Sequence, residues 1–214
     1  MKTFFKNENS DELILFFCGW GMDEKPFSPL KSSADILFLY DYSDLEFEFD
    51  FAKYKKITLI AFSYGVFVAA LLKDILPKLD FKIAVNGTLR PVDNEFGIPE
   101  KIFKLTLENM TELTALKFRE KLFSSREHLA IFNKNLPNRD MQSSKTELAA
   151  LEGYFLANKN VDFEYDKIFI AEHDKIMPFK SQKSFWQNNQ NVHTIDAGHF
   201  LFYNFENFGE IIIG

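Results

Sequence analysis

The sequence predicts an open α/β sheet, mostly parallel, with helices on both faces and an inserted helical cap. Three observations predict it. Six short runs of continuous apolar, β-branched or aromatic residues read as strands covered on both faces. Helical stretches joined by short links alternate with them, which favours right-handed crossovers. From about 99 to 158 the signals turn helical with almost no strand run. An insertion of roughly sixty residues over a sheet's ligand-binding edge is usually functional, often a lid. The expected division is therefore a core of residues 1–98 and 159–214 and a helical cap of residues 99–158.

In chain order, strands are expected at 13–17, 36–40, 57–62, 83–86, 167–171 and 192–195. A helix is expected over 64–76, ended by Pro77. In the insertion, Pro99 suits a first helical position. Thr111 can cap a helix over 112–123. Ser144-Lys145-Thr146-Glu147 has the pattern of a capping box before 148–157. A last helix is expected over 179–188, and the aromatic-interleaved acidic stretch 41–50 reads as a solvated loop.

Composition narrows the function classes. With 46% hydrophobic and 26% charged residues among 214, the chain is neither disordered nor collagen-like and holds a sizeable core. Its 26 phenylalanines predict wide apolar surfaces. The net charge of −6 carries no global footprint for nucleic acid. Cys18 is the lone cysteine, so no intrachain disulfide can form, and a cytoplasmic address is expected. The apolar run 13–18 is too short for a signal-peptide core, and no stretch approaches the ~20 apolar residues of a membrane helix. Cys18 itself reads as a small buried hydrophobe.

Four segments could carry chemistry. Ala61-Phe62-Ser63-Tyr64-Gly65 follows a strand and opens a helix. Small residues two positions either side of a serine let strand and helix pass closely around a strained turn that exposes the hydroxyl. Such a string is common by chance, so its placement carries the weight. Phe17-Cys18-Gly19-Trp20-Gly21 ends the first strong strand, and its glycines let backbone approach a ligand. The N–H groups of Trp20 and Tyr64 are the candidate oxyanion donors, with Trp20 also a candidate wall of an acyl site. Glu172-His173-Asp174 and Ala197-Gly198-His199-Phe200 follow the last two strands. A serine hydroxyl needs a base, and the base an orienting acid. The order Ser63, Asp174, His199 supplies all three. Glu172 stands as the alternative acid, and His173 as the nearest alternative base; His128 and His193 suit surface or structural roles.

The segments 17–23, 61–65 and 86–93 (Asn-Gly-Thr-Leu-Arg-Pro-Val-Asp), with Gly97-Ile98-Pro99, resemble the BioG-type pimeloyl-ACP methyl ester esterases of bacterial biotin synthesis. The resemblance spans most of the chain. It implies an α/β-hydrolase fold and cleavage of pimeloyl-ACP methyl ester to pimeloyl-ACP and methanol. By match of motif it makes Ser63 the nucleophile, Asp174 the acid and His199 the base, with no metal or organic cofactor. Ala61 departs from the general motif, which has glycine there.

The insertion suits that substrate. Phe103, Phe118, Phe123, Phe132 and Phe155 are candidates to line an acyl tunnel, with core packing as the plainer role for them. Residues 99–140 hold eight Lys and Arg against six Asp and Glu in an otherwise acidic chain. Arg119, Lys121, Arg126 and Arg139 are the candidate contacts to an acidic acyl carrier protein. Two other readings stand beside this one: a general lidded esterase or thioesterase, and a catalytically silent hydrolase-fold binding module.

Overall fold

The computed structural model describes residues 1–213. The strands are β1 (Lys2–Lys6), β2 (Glu12–Phe17), β3 (Asp35–Tyr40), β4 (Lys56–Phe62), β5 (Phe81–Val85), β6 (Lys167–Ala171) and β7 (Val192–Ile195). The helices are α1 (Tyr64–Leu71), α2 (Glu100–Glu108), α3 (Glu112–Lys121), α4 (Arg126–Lys134), α5 (Met141–Ala157), α6 (Phe179–Phe185) and α7 (Phe208–Ile213).

One seven-stranded sheet runs in the order β1-β3-β2-β4-β5-β6-β7. All neighbours are parallel except β1, which pairs antiparallel with β3, Lys2 opposite Tyr40 and Lys6 opposite Ile36. The central strands β2 and β4 are almost wholly buried, as their unbroken apolarity requires. Two apolar clusters cover the two faces. One joins α1 and the long helix α5 to the sheet; the other gathers Phe16, Phe27, Phe62, Phe200, Phe202 and their neighbours. Much of the phenylalanine is spent there, in edge-on and tilted ring contacts 4.6–5.8 Å apart such as Phe16–Phe27 and Phe62–Phe200.

Four expectations change. The edge strand β1 is mostly exposed, so it has no continuous apolar run to betray it. Helix α1 stops at Leu71 and the chain reaches Pro77 in turns, closed by bonds such as Ile75 N–H to the Leu72 carbonyl at 2.9 Å. Helix α6 ends at Phe185, where Trp186 turns inward and its indole N–H donates to the Gly87 carbonyl at 2.9 Å. Helix α5 begins seven residues before 148, capped by Asp140, whose carboxylate accepts the Ser143 N–H at 2.7 Å. Glu147 closes no capping box; its side chain turns into the protein. Thr111 does cap α3, reciprocally with Thr114. Among the described residues, no helix is long and apolar enough to cross a membrane.

Candidate active site

Ser63 sits between β4 and α1 at φ 56°, ψ −120°, a backbone setting that costs a non-glycine residue about 1–3 kcal/mol and is typical of functional turns. Its N–H is tied to the Val85 carbonyl at 2.9 Å. The turn works only with glycine at 65: a Cβ there would lie 2.5 Å from the Phe17 carbonyl oxygen and 2.7 Å from that of Cys18. Ala61, fully buried between Phe17 and Ala84 on the adjoining strands, is small enough for its place.

The three distant segments meet. Ser63 Oγ lies 2.9 Å from His199 Nε2, and His199 Nδ1 lies 2.7 Å from Asp174 Oδ2. All three are buried. Asp174 fixes the tautomer. Its Oδ1 accepts the N–H groups of Ile176 and Met177 at 2.8 and 2.9 Å, and its Oδ2 accepts the Gln182 amide at 2.9 Å. A carboxylate so surrounded by donors can only accept, so it takes a hydrogen bond from Nδ1–H, which leaves Nε2 as acceptor for the serine hydroxyl. Glu172 is exposed and stands away from this chain of bonds beside His173, which pairs instead with Asp196 at 2.9 Å. Cys18 is buried, and that burial pushes its thiol well above its ordinary value.

Trp20 and Tyr64 border the cavity that opens on Ser63, and among the described residues neither backbone N–H has a hydrogen-bond acceptor. The cavity measures about 80 Å³ and is walled by Ile98, Ile102, Phe103, Phe118, Leu122 and Leu148 among others. Trp20 and Phe118 meet edge-on at 5.1 Å and also border a larger cleft of about 590 Å³ on their other side.

The expected tunnel is therefore corrected. Phe103 and Phe118 line the cavity; Phe132 borders the neighbouring cleft. Phe123 packs into the rings of Phe132, Phe200 and Tyr203, and Phe155, on α5, packs on Phe67 of α1. Their apolarity marked them as buried, and the sheet-side core claimed them first. Arg139 is corrected too: its side chain is only 3% exposed, paired with Asp41 and Glu147 at 3.1 Å each, and so is unavailable to a docking partner. Arg119 is half-buried, whereas Lys121 and Arg126 are exposed.

Sequence reasoning missed Asn86 and Gln182. Asn86 follows β5 at φ 46° and bonds through its amide to the His199 loop. Its only signal was membership of the Asn-Gly-Thr segment. Gln182 carried none, being one polar residue among several on a short helix.

A serine on a strand–helix turn, with a carboxylate and an imidazole beyond the last two strands of a mostly parallel sheet, is the α/β-hydrolase arrangement. The chain is an α/β-hydrolase of the carboxylic ester hydrolase class. Residues 1–211 match the family described as pimeloyl-ACP methyl esterase BioG, and the chain belongs to that family. The structure superposes on the crystal structure of BioG from Haemophilus influenzae with a TM-score of 0.91, at 34% identity, covering 98% of this chain and 99% of that one. An uncharacterized protein of H. influenzae is 37% identical over 212 residues, 96% of each chain. A malonyl-[acyl-carrier protein] O-methyltransferase of Bacteroides fragilis is 37% identical over 193 residues, 88% of this chain but only 39% of that protein. An esterase from Exiguobacterium antarcticum shares the fold, with a TM-score of 0.70 at 14% identity over 94% and 90% of the two chains.

Proposed function

We propose that the chain hydrolyses the methyl ester of pimeloyl-ACP methyl ester, releasing methanol and pimeloyl-ACP in biotin synthesis, in the cytoplasm. The observation that carries the chemistry is the unbroken series Ser63–His199–Asp174 at 2.9 and 2.7 Å. Ser63 Oγ attacks the ester carbonyl while His199 Nε2 takes its proton; Asp174 steadies the imidazolium. The N–H groups of Trp20 and Tyr64 hold the oxyanion; one such donor is typically worth on the order of 10²–10³ in rate. The imidazolium returns its proton to the departing methoxide, and methanol leaves an acyl-serine. Water, deprotonated by His199, then attacks the acyl-serine, and the free acid departs with Ser63 reprotonated.

Family membership supports the substrate. The name of the B. fragilis relative denotes methyl transfer to a carrier-bound malonyl group, and a methyl ester on a carrier-bound acid is the bond this site would cleave. Residues 99–158 would serve as the cap, with Trp20, Phe103 and Phe118 against the acyl chain and Phe132 further along it. Arg119, Lys121 and Arg126 would face the acidic carrier.

The test is hydrolysis of pimeloyl-ACP methyl ester beside short p-nitrophenyl esters and acyl thioesters, with fluorophosphonate labelling. Wild type should label and should favour the carrier-bound methyl ester; S63A should do neither. Equal turnover of all esters would support the general lidded esterase, and folded protein that takes no label would support the binding module.

A further inference from the structure

The loop 19–23 carries the Trp20 N–H, yet it has little rigidity of its own. Gly21 lies at φ 69°, and one backbone bond, Met22 N–H to the Gly19 carbonyl at 3.2 Å, closes it. Lys25 N–H also holds Asp23 Oδ1 at 3.0 Å and Phe118 meets the Trp20 ring, but four further hydrogen bonds come from residues 138–147 of the cap. Gly21 N–H donates to Glu147 Oε2 at 3.1 Å, and the Trp20 indole N–H donates to the Ser144 carbonyl at 2.7 Å. Arg139 Nη1 donates to the Met22 carbonyl at 3.2 Å, and Asn138 N–H to Asp23 Oδ2 at 2.5 Å.

Glu147 is the hub. It lies in the middle of α5 with its side chain fully buried. Besides Gly21 it accepts the Tyr42 N–H at 3.2 Å and Arg139 Nη2 at 3.1 Å. Arg139 also bonds Ser143 Oγ at 2.8 Å and reaches Asp41, which Lys2 pairs from outside. A buried ion pair is a poor source of net stability compared with apolar packing. Here its bonds end on the oxyanion loop and on the backbone that flanks it.

We propose that Glu147, held by Arg139, is a positioning residue for the oxyanion site, so that the Trp20 N–H is correctly aimed only while the cap is docked. The inference rests on the esterase reading above. Glu147 does its work ionised, since a carboxylate accepts from all three donors whereas a protonated carboxyl must direct its own O–H at one of them. Burial pushes its carboxyl up to about 7 against the pull of Arg139 and of the Gly21 and Tyr42 N–H groups, with Asp41 adding to the rise. The other titratable groups facing it are the Cys18 thiol and the Tyr42 phenol.

The experiment compares E147Q with wild type on p-nitrophenyl butyrate from pH 5 to 9, with thermal melting and fluorophosphonate labelling. A small displacement of a catalytic group can cost roughly 10²-fold. The expected result is a kcat lower by about 10- to 100-fold, KM within about twofold, and an acid limb of kcat shallower than that of wild type, because one of the two groups that must be unprotonated no longer titrates. E147D, which restores the charge, should recover part of the loss. A folded E147Q with wild-type kcat, or one that raises KM alone, overturns the proposal. If E147Q does not fold, R139K carries the same comparison, because it keeps the charge and loses the fork to Met22 and Glu147. Wild type that neither labels nor turns over ester removes the esterase reading itself, an outcome distinct from any of these.

Discussion

The side-chain amide of Asn86 clasps the loop that bears His199. Its Nδ2 donates to the His199 carbonyl at 2.7 Å, and its Oδ1 accepts the Ala171 N–H, also at 2.7 Å, while its own N–H reaches the Phe169 carbonyl at 2.9 Å. One residue just beyond β5 thus joins the strand before Asp174 to the loop holding the base. Asparagine is favoured because the position lies at φ 46°, which it tolerates better than most side chains.

Replacing Asn86 by Ala leaves two buried backbone groups unpaired, each worth about 1–3 kcal/mol. N86A should melt well below wild type and lose kcat roughly tenfold or more, by the displacement argument. N86D, which keeps the acceptor and loses the donor, should fall between. Activity of folded N86A equal to wild type would show that the clasp does not hold the base.

Asp174 is held by four donors, one of them the buried Gln182 amide, whose own oxygen has no partner among the described residues. D174N should keep KM and lower kcat by on the order of 10⁴, since an amide no longer selects the Nδ1-protonated imidazole. Q182L should cost far less, because three donors remain. Steady-state kinetics on one soluble ester separates the two, and E172Q is the control expected to match wild type.

Gly65 faces backbone oxygens of the very segment that enters the oxyanion loop. G65A must push β2 and α1 apart, which typically costs about 1–3 kcal/mol. Melting should drop, and residual kcat should fall more than residual folded protein does, as Ser63 and Trp20 separate.

The charge-reversed pair R119E/R126E should weaken turnover of the carrier-bound ester, chiefly through KM and more at low salt. It should leave p-nitrophenyl butyrate turnover within about twofold. Equal losses on both substrates would remove carrier docking from this face.

Asp35 gathers the N–H groups of Glu8 and Ser10, the Lys53 ammonium and the Tyr54 hydroxyl at 2.7–3.1 Å. Burial works to raise its carboxyl, but the hydrogen bonds from Lys53, Ser10, Glu8 and Tyr54 outweigh it and hold it at about 2, below the ordinary 3.8. A depressed carboxyl stabilises the fold above its unfolded value and loses that contribution as pH falls toward 2. Wild-type melting should therefore drop between about pH 4 and 2, and D35N should show a shallower drop there. At pH 7 D35N should melt about 4–8 °C lower, as expected for the loss of hydrogen bonds to a charged acceptor.

Much of the scaffold was written in local pattern. Strands buried on both faces must be apolar throughout, so β2, β3, β4 and β6 stood out, while the partly buried β5 and β7 showed through their β-branched residues, and the serine turn and the two loops that meet it could be placed at strand ends. The edge strand β1 escaped because an exposed edge needs no such run. Apolarity also told that Phe123 and Phe155 were buried without telling what they touch, and a basic side chain at 139 read as surface although it is walled in.

Glu147 shows where local reading ends. Three residues after a serine, its spacing matched a cap, and a carboxylate near a helix start does favour nearby N–H groups. What decided its partners were the Gly21 and Tyr42 N–H groups, 126 and 105 residues away in the chain. Order, periodicity and small residues at tight turns are fixed by neighbours a few positions apart, and the chain's letters disclose them. Whether a hydroxyl, an imidazole and a carboxylate come within bonding distance, and which buried acid holds which loop, depends on how separate elements pack, and only the folded molecule sets that.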